Sequence, residues 1–253
     1  MHRYFIKLAY KGTHYHGWQI QDNAHTVQAE LNQKISLMLG ETVNLVGCGR
    51  TDTGVHAMEF YAHFDISKEL DQLDHLAYKL NGFLPEDIVV FEIFEVPTDF
   101  HARFDAQSRT YKYDISQRKN PFAMGQTFYY HGQLDVVKMN AACEILYEYT
   151  DFTSFSKLHT QTKTNHCTIY KAKWEKVGDE LVFTIQADRF LRNMVRAIVG
   201  TMLEIGSGKL QVDELHRIIE AKDRSDAGFS VPAEGLFLEK VVYDFPKKPQ
   251  IKP

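Results

Sequence analysis

Gly47-Cys48-Gly49-Arg50-Thr51-Asp52-Thr53-Gly54-Val55-His56-Ala57 is the stretch whose reading decides the fold. Apolar residues Val43 to Val46 precede it and read as a strand. Behind it Phe60, Ala62, Phe64 and Ile66 alternate with Glu59, Tyr61, His63 and Asp65, the period of a strand with one buried face. The stretch is therefore a loop between two strands. Gly47, Gly49 and Gly54 free its backbone for tight or left-handed conformations. Arg50 and Asp52 place a cation and a carboxylate two residues apart on it, and a rigid sheet presenting such a loop is a common way to build an active site. Asp, Thr and Gly are also ordinary turn residues, so the same letters fit a plain surface turn.

The rest of the chain follows the same strand–helix grammar. Residues 3 to 10 alternate as a first strand. Val27, Leu31, Ile35 and Met38 recur at helical spacing, with Thr26 as N-cap and Gly40 as terminator. Leu73 to Leu80 predicts a second helix and Ile88 to Val96 another strand. Phe104 to Ser116 reads as a long strand carrying Tyr111 and Tyr113 on one face, and Phe128 to His131 as a short one. Val136 to Tyr147 predicts a helix, and Asp151 to Thr168 a long polar loop. Ile169 to Lys176 and Leu181 to Ala187 pair as a hairpin across Gly178. Phe190 to Ile205 predicts an apolar helix bearing Arg192 and Arg196, Val212 to Ala221 another helix, and Gly235 to Phe245 a last strand. Antiparallel strands with helices on one face give an α+β architecture. The rhythm repeats in two halves, residues 1–102 with the loop 47–57, and residues 103–253.

Composition bounds the function. The chain has 253 residues, 44% hydrophobic and 25% charged, the balance of an ordinary folded protein. No apolar run approaches a membrane span, and the N-terminus turns polar at once, so a cytosolic protein is expected. Cys48, Cys143 and Cys167 form no CxxC pair, which argues against disulfide frameworks and cysteine zinc sites. The histidines, including His14, His16, His56 and His63, match no metal spacing. Neither a phosphate-binding loop, a dinucleotide fingerprint nor a hydrolase elbow is present. Net charge is −4, but Arg103, Arg109, Lys112, Arg118 and Lys119 cluster, as do Arg189, Arg192 and Arg196. Such clusters suit RNA and also suit a solvated surface.

Three side chains stand out chemically. Asp52 suits a nucleophile or base, or a turn cap. Tyr111 and Tyr113 suit stacking on bases, or simple packing. Arg196 interrupts an apolar helix face and asks for a partner, for which Asp52 is one candidate.

The loop Gly49 to Ala57 closely resembles the active-site loop of the bacterial tRNA pseudouridine synthase A family. So do Tyr10-Lys11-Gly12, Tyr15-His16-Gly17-Trp18-Gln19, Asp99-Phe100-His101-Ala102-Arg103, Arg109-Thr110-Tyr111-Lys112-Tyr113, Asp151-Phe152-Thr153-Ser154-Phe155, Met194 to Gly200 and Ala233 to Leu238, in the family's order. The resemblance implies two α+β halves meeting along a cleft, a homodimer gripping tRNA, and isomerisation of uridine to pseudouridine in the anticodon stem-loop at tRNA positions 38, 39 and 40. It implies no metal or cofactor. By its motifs Asp52 is the catalytic aspartate, Tyr111 stacks on the target base, Arg196 pairs with Asp52, Arg50 fills the space left by the flipped nucleotide, and Leu236 or Leu238 packs on the base. Arg103, Arg109, Lys112, Arg189 and Arg192 are the candidates for RNA contact. Thr53 departs from the family's usual alanine, and the loop 156–168 and Asp226 to Val231 are less typical. A catalytically silent tRNA-binding protein or chaperone on the same fold is the alternative. A glycosidase is remote because Asp52 has no second acid in its motif.

Overall fold

A computed structural model describes residues 1–157 and 164–246. The chain forms two compact units, Met1–Gln107 joined by the chain from Leu238 on, and Ser108–Phe237. The last strand thus contributes to both.

In the first unit the strands β1 (His2–Tyr10), β3 (His56–Ile66), β4 (Ile88–Val96) and β9 (Leu236–Tyr243) are ordered β4-β1-β3-β9, with the two-residue β2 (Val46–Gly47) on β3. β1 is antiparallel to both β3 and β4. Tyr4, Ile6 and Leu8 lie opposite Phe64, Ala62 and Phe60 and form one apolar face. Helix α1 (Val27–Leu39) starts as expected at Thr26, whose Oγ1 accepts from the Ala29 N–H, and stops at Gly40 in the left-handed conformation. Helix α2 (Leu73–Phe83) accompanies β4.

Two expectations are corrected here. Residues 43–45 are not in a strand; only Val46–Gly47 pairs with β3. Their backbone is satisfied by side chains of α1 instead: Val43 N–H donates to Ser36 Oγ, Leu45 N–H to Asn32 Oδ1, and Gln28 Nε2 to the Leu45 carbonyl. Val43 and Leu45 still bury their side chains. β3 is also buried on both faces, Tyr61 and His63 included. Its second face is covered by aromatics, with Phe5 touching His63, Phe94, Phe100, Tyr243 and Phe245.

In the second unit β5 (Ala106–Ser116), β7 (Ile169–Val177) and β8 (Glu180–Ala187) are ordered β5-β8-β7 and antiparallel, and the short β6 (Phe128–Tyr129) joins β5 in parallel. Helices α3 (Val136–Leu146), α4 (Met194–Gly206) and α5 (Glu214–Ala221) complete it. α4 begins four residues later than its apolar pattern predicts. Asn193 takes a left-handed conformation, φ 68°, so Phe190 and Arg192 precede the helix. Of the long polar loop, residues 158–163 lie outside the described residues.

Both units close an edge strand in the same way. Asn81 of α2 receives the Val90 N–H and donates to the Val90 carbonyl, both at 2.8 Å. Asn140 of α3 does the same to Trp174 of β7, at 2.9 and 3.0 Å. A carboxamide here completes the ladder of a strand that has no outer neighbour.

Candidate active site

Asp52 sits half-buried at the head of a turn closed by the Val55 N–H donating to the Asp52 carbonyl at 3.1 Å. Arg50 and Thr53 on either side are exposed. The turn is gripped by the segment that follows β1. Trp18 N–H donates to the Thr51 carbonyl at 3.3 Å, Gly54 N–H to the Tyr15 carbonyl at 3.2 Å, and Gly12 N–H to His56 Nδ1 at 3.0 Å. Tyr10 Oη and Thr51 Oγ1 are 2.8 Å apart in a buried hydrogen bond. Gly17 has φ 84°, and a Cβ there would lie 2.3 Å from the Thr51 carbonyl oxygen, so only glycine allows this approach. The gripping segment is itself anchored: Tyr15 Oη donates to Asp87 at 2.6 Å, and Trp18 stacks on Phe60 at 4.1 Å. Burial and the Asp87 carboxylate push the Tyr15 phenol well above its ordinary range.

The second unit carries its candidate side chains on regular elements. Tyr111, in β5, is half-buried and meets Phe190 edge-on at 5.1 Å. Tyr113 is fully buried, donating its hydroxyl to the Pro232 carbonyl at 2.8 Å, and burial drives its phenol far above the normal range. Only one of the two tyrosines offered as stacking surfaces is accessible. Arg196 is half-buried on α4, and its Nε donates to the Val231 carbonyl at 2.7 Å while Val231 N–H donates back to the Arg196 carbonyl at 3.2 Å. Leu236 of this unit and Leu238 of the first are both buried, two apart on β9.

The remaining cations differ in exposure. Arg103 is exposed, its guanidinium 5.7 Å from the Phe104 ring centre. Arg192 is exposed and Arg189 half-buried. Arg109 donates to the Asp188 carbonyl at 2.8 Å. Lys112 pairs with Asp114 at 2.9 Å and lies 4.7 Å from the Phe237 ring centre. Burial raises the Asp114 carboxyl, and Lys112 opposes that rise. His56 and His63 are buried acceptors of backbone N–H groups, from Gly12 and Ala102, while His14 and His16 are exposed. Among the described residues no group of three His, Cys, Asp or Glu side chains is placed to hold a metal ion, and no helix is long and apolar enough to cross a membrane.

The grip of Tyr10, Thr51 and His56 on the Asp52 turn is not readable from periodicity. Its sequence signal is the pair of glycine-containing blocks Tyr10-Lys11-Gly12 and Tyr15-His16-Gly17-Trp18, which show no hydrophobic period of their own.

These blocks and the Asp52 loop have counterparts in known proteins. A family model described as tRNA pseudouridine synthase matches residues 7–105 and 147–244. A tRNA pseudouridine synthase A of Parabacteroides distasonis is 53% identical over 243 residues, 96% of each chain. One from Porphyromonas gingivalis is 50% identical over 96% of this chain and 98% of its own. One from Thermoanaerobacter pseudethanolicus is 40% identical over 96% of this chain and all of its own. With residues of both units matched and these relatives covered over 96% or more of their length, the chain belongs to the tRNA pseudouridine synthase family.

Proposed function

We propose that this protein isomerises uridine to pseudouridine in the anticodon stem-loop of tRNA, with Asp52 as the catalytic carboxylate, Tyr111 stacking on the target base and Arg196 as the cation paired with Asp52. Family membership makes it an isomerase of tRNA uridine. The observation that carries the residue assignment is Asp52 itself, half-buried in a turn held at the Thr51 carbonyl, the Gly54 N–H and the His56 ring.

The chemistry suits these groups. The C1′–N1 bond breaks, the base rotates, C5 bonds to C1′, and the proton on C5 leaves as one is gained at N1. The same atoms enter and leave, so the balance needs no redox partner. The uridine must first leave its stack, and Arg50, exposed beside Asp52, is the candidate to fill the gap. The detached base needs an apolar and aromatic setting, which Tyr111, Leu236 and Leu238 would provide. Arg103 and Arg192, exposed where Arg109 and Lys112 are half-buried, are the better candidates for phosphate contact. We read the active form as a cytosolic homodimer.

Base-resolved pseudouridine mapping of tRNA incubated with wild type or Asp52→Asn tests the proposal. Wild type should modify uridines of the anticodon stem-loop. Asp52→Asn should bind the tRNA and modify none, because a single carboxylate is asked to do the covalent or proton chemistry. Turnover by the variant within tenfold of wild type would remove Asp52 from the role. Binding without turnover by wild type would favour a silent tRNA-binding protein.

A further inference from the structure

We propose that the Tyr10 hydroxyl is a positioning group for Asp52, acting through Thr51; the inference rests on the functional reading above. Tyr10 is 4% exposed and Thr51 8%, so their 2.8 Å hydrogen bond is made out of water. Its partner is the residue immediately before the catalytic carboxylate. Thr51 is therefore held twice, at Oγ1 by Tyr10 at the end of β1 and at its carbonyl by the Trp18 N–H of the segment that follows. The glycine at position 17 lets the two backbones approach to a distance that no side chain would permit.

The position of Tyr10 is set by the sheet. Tyr10 is the last residue of β1 and pairs with Ala57, while Leu8 pairs with Phe60, so the register slips between them. The slip brings Tyr10 level with the end of the Asp52 loop. Its ring is fixed by Phe60 at 5.6 Å and Trp18 at 6.2 Å, which leaves the hydroxyl little freedom. A rigid aromatic lever from the sheet thus fixes the residue next to the reacting group. Misplacement of a catalytic group by about 1 Å can slow a reaction on the order of a hundredfold.

The test is a set of four variants: Tyr10→Phe, Thr51→Val, the two combined, and Thr51→Ser. Each is assayed for single-turnover pseudouridine formation, tRNA binding and thermal unfolding, with wild type and Asp52→Asn alongside. Tyr10→Phe and Thr51→Val should each lower the single-turnover rate roughly ten- to a hundredfold with tRNA affinity unchanged. The combined variant should be no slower than either alone, because one interaction is lost in all three. Thr51→Ser, which keeps the hydroxyl, should restore most of the rate. Each single variant breaks the Tyr10–Thr51 hydrogen bond on one side and should melt lower. The double variant removes both of its hydroxyls and should regain part of the melting temperature but not the rate. A rate that recovers with the melting temperature would make the contact merely structural and overturn the proposal. So would an unchanged rate in Tyr10→Phe, or a loss confined to tRNA affinity. Turnover by wild type and its absence in Asp52→Asn, read in the same assay, keep the functional reading standing whichever way the Tyr10 variants fall.

Discussion

The two units hold their candidate side chains by different means. In the first, Asp52 rides on a loop, and the neighbouring segment Gly12–Trp18 holds that loop by its backbone at the Thr51 carbonyl and the Gly54 N–H, and by the His56 ring, which accepts the Gly12 N–H. In the second, Arg196 rides on helix α4, whose own hydrogen bonds already fix the backbone, and the segment Gly228–Val231 holds the side chain as well. Arg196 Nε and the Arg196 carbonyl both bond to Val231, and Thr201 Oγ1 receives the Gly228 N–H at 2.9 Å. Both grips need a glycine where two backbones touch. At Gly200 a Cβ would lie 1.8 Å from the Phe229 carbonyl oxygen, as one at Gly17 would lie 2.3 Å from that of Thr51. A loop needs its main chain fixed from outside before its side chain can be aimed, whereas a helix needs only the side chain guided.

The proposed pairing of Asp52 with Arg196 makes the strongest test of whether the two strategies serve one purpose. Arg196→Met keeps the length of the side chain and removes its charge and its bond to Val231. Both groups are half-buried, so the loss of the cation should destabilise by less than the roughly 3–5 kcal/mol of a fully buried pair, and turnover should vanish. Combining Arg196→Met with Asp52→Asn should recover much of that stability and none of the activity. Denaturant melts of wild type and the three variants supply the cycle. Simple addition of the two losses means no interaction, and the two grips would then serve separate tasks.

The glycines break the grips one at a time. Gly17→Ala meets both a left-handed φ and a backbone clash, together roughly 2–4 kcal/mol. Gly200→Ala meets the deeper clash, 1.8 Å, of which alanine's better helix propensity offsets about 1 kcal/mol. Both variants should therefore lose stability in denaturant melts, and the loop variant should be the slower per folded molecule because it moves the backbone that aims Asp52. The reverse order of rates would mean that the helix depends on outside support more than the loop does.

How far all this was legible follows from the same contrast. Helix α1 with its Thr26 cap and Gly40 stop, strand β4 and the β7–β8 hairpin carry periodicity and turn residues, and the structure places them where the sequence does. Residues 43–45 have the apolar content of a strand, yet their hydrogen bonds go to Gln28, Asn32 and Ser36 of a helix, which no local pattern announces. The start of α4 is displaced because Asn193 turns the chain left-handed inside an otherwise helical pattern. Tyr111 and Tyr113 look alike in the sequence and differ in fate, since the Pro232 carbonyl that takes the Tyr113 hydroxyl is 119 residues away. Asp52 was legible as a candidate from its motif. The tyrosine, threonine and histidine that hold its turn were not, because each contact joins two segments about 40 residues apart.

Acid provides the gentlest way to separate the units. The first unit ties its sheet to residues 99–105 through His63, whose Nδ1 accepts the Ala102 N–H at 3.1 Å. Burial, with Arg3 and His101 nearby and Asp65 opposing, lowers the His63 imidazole to about 4. In the unfolded chain it titrates near about 6.5. Between those values the unfolded state binds a proton that the folded state refuses, so stability falls as pH drops from about 6.5 to about 4 and then levels off. The full effect is at most about 3 kcal/mol. Asp114 in the second unit has the opposite sign: its carboxyl is raised by burial, so its strain is present at neutral pH and is relieved as pH falls through its folded value. The first unit should therefore be the one that acid loosens. His63→Asn puts an amide oxygen where Nδ1 stood, keeps an acceptor for Ala102, and cannot titrate. Urea melts between pH 4 and 7 should show wild type losing stability through that window and His63→Asn losing less of it. Parallel pH profiles for the two proteins would place the acid sensitivity elsewhere, and hydrogen exchange of β3 against β8 at pH 4.5 would show which unit bears it.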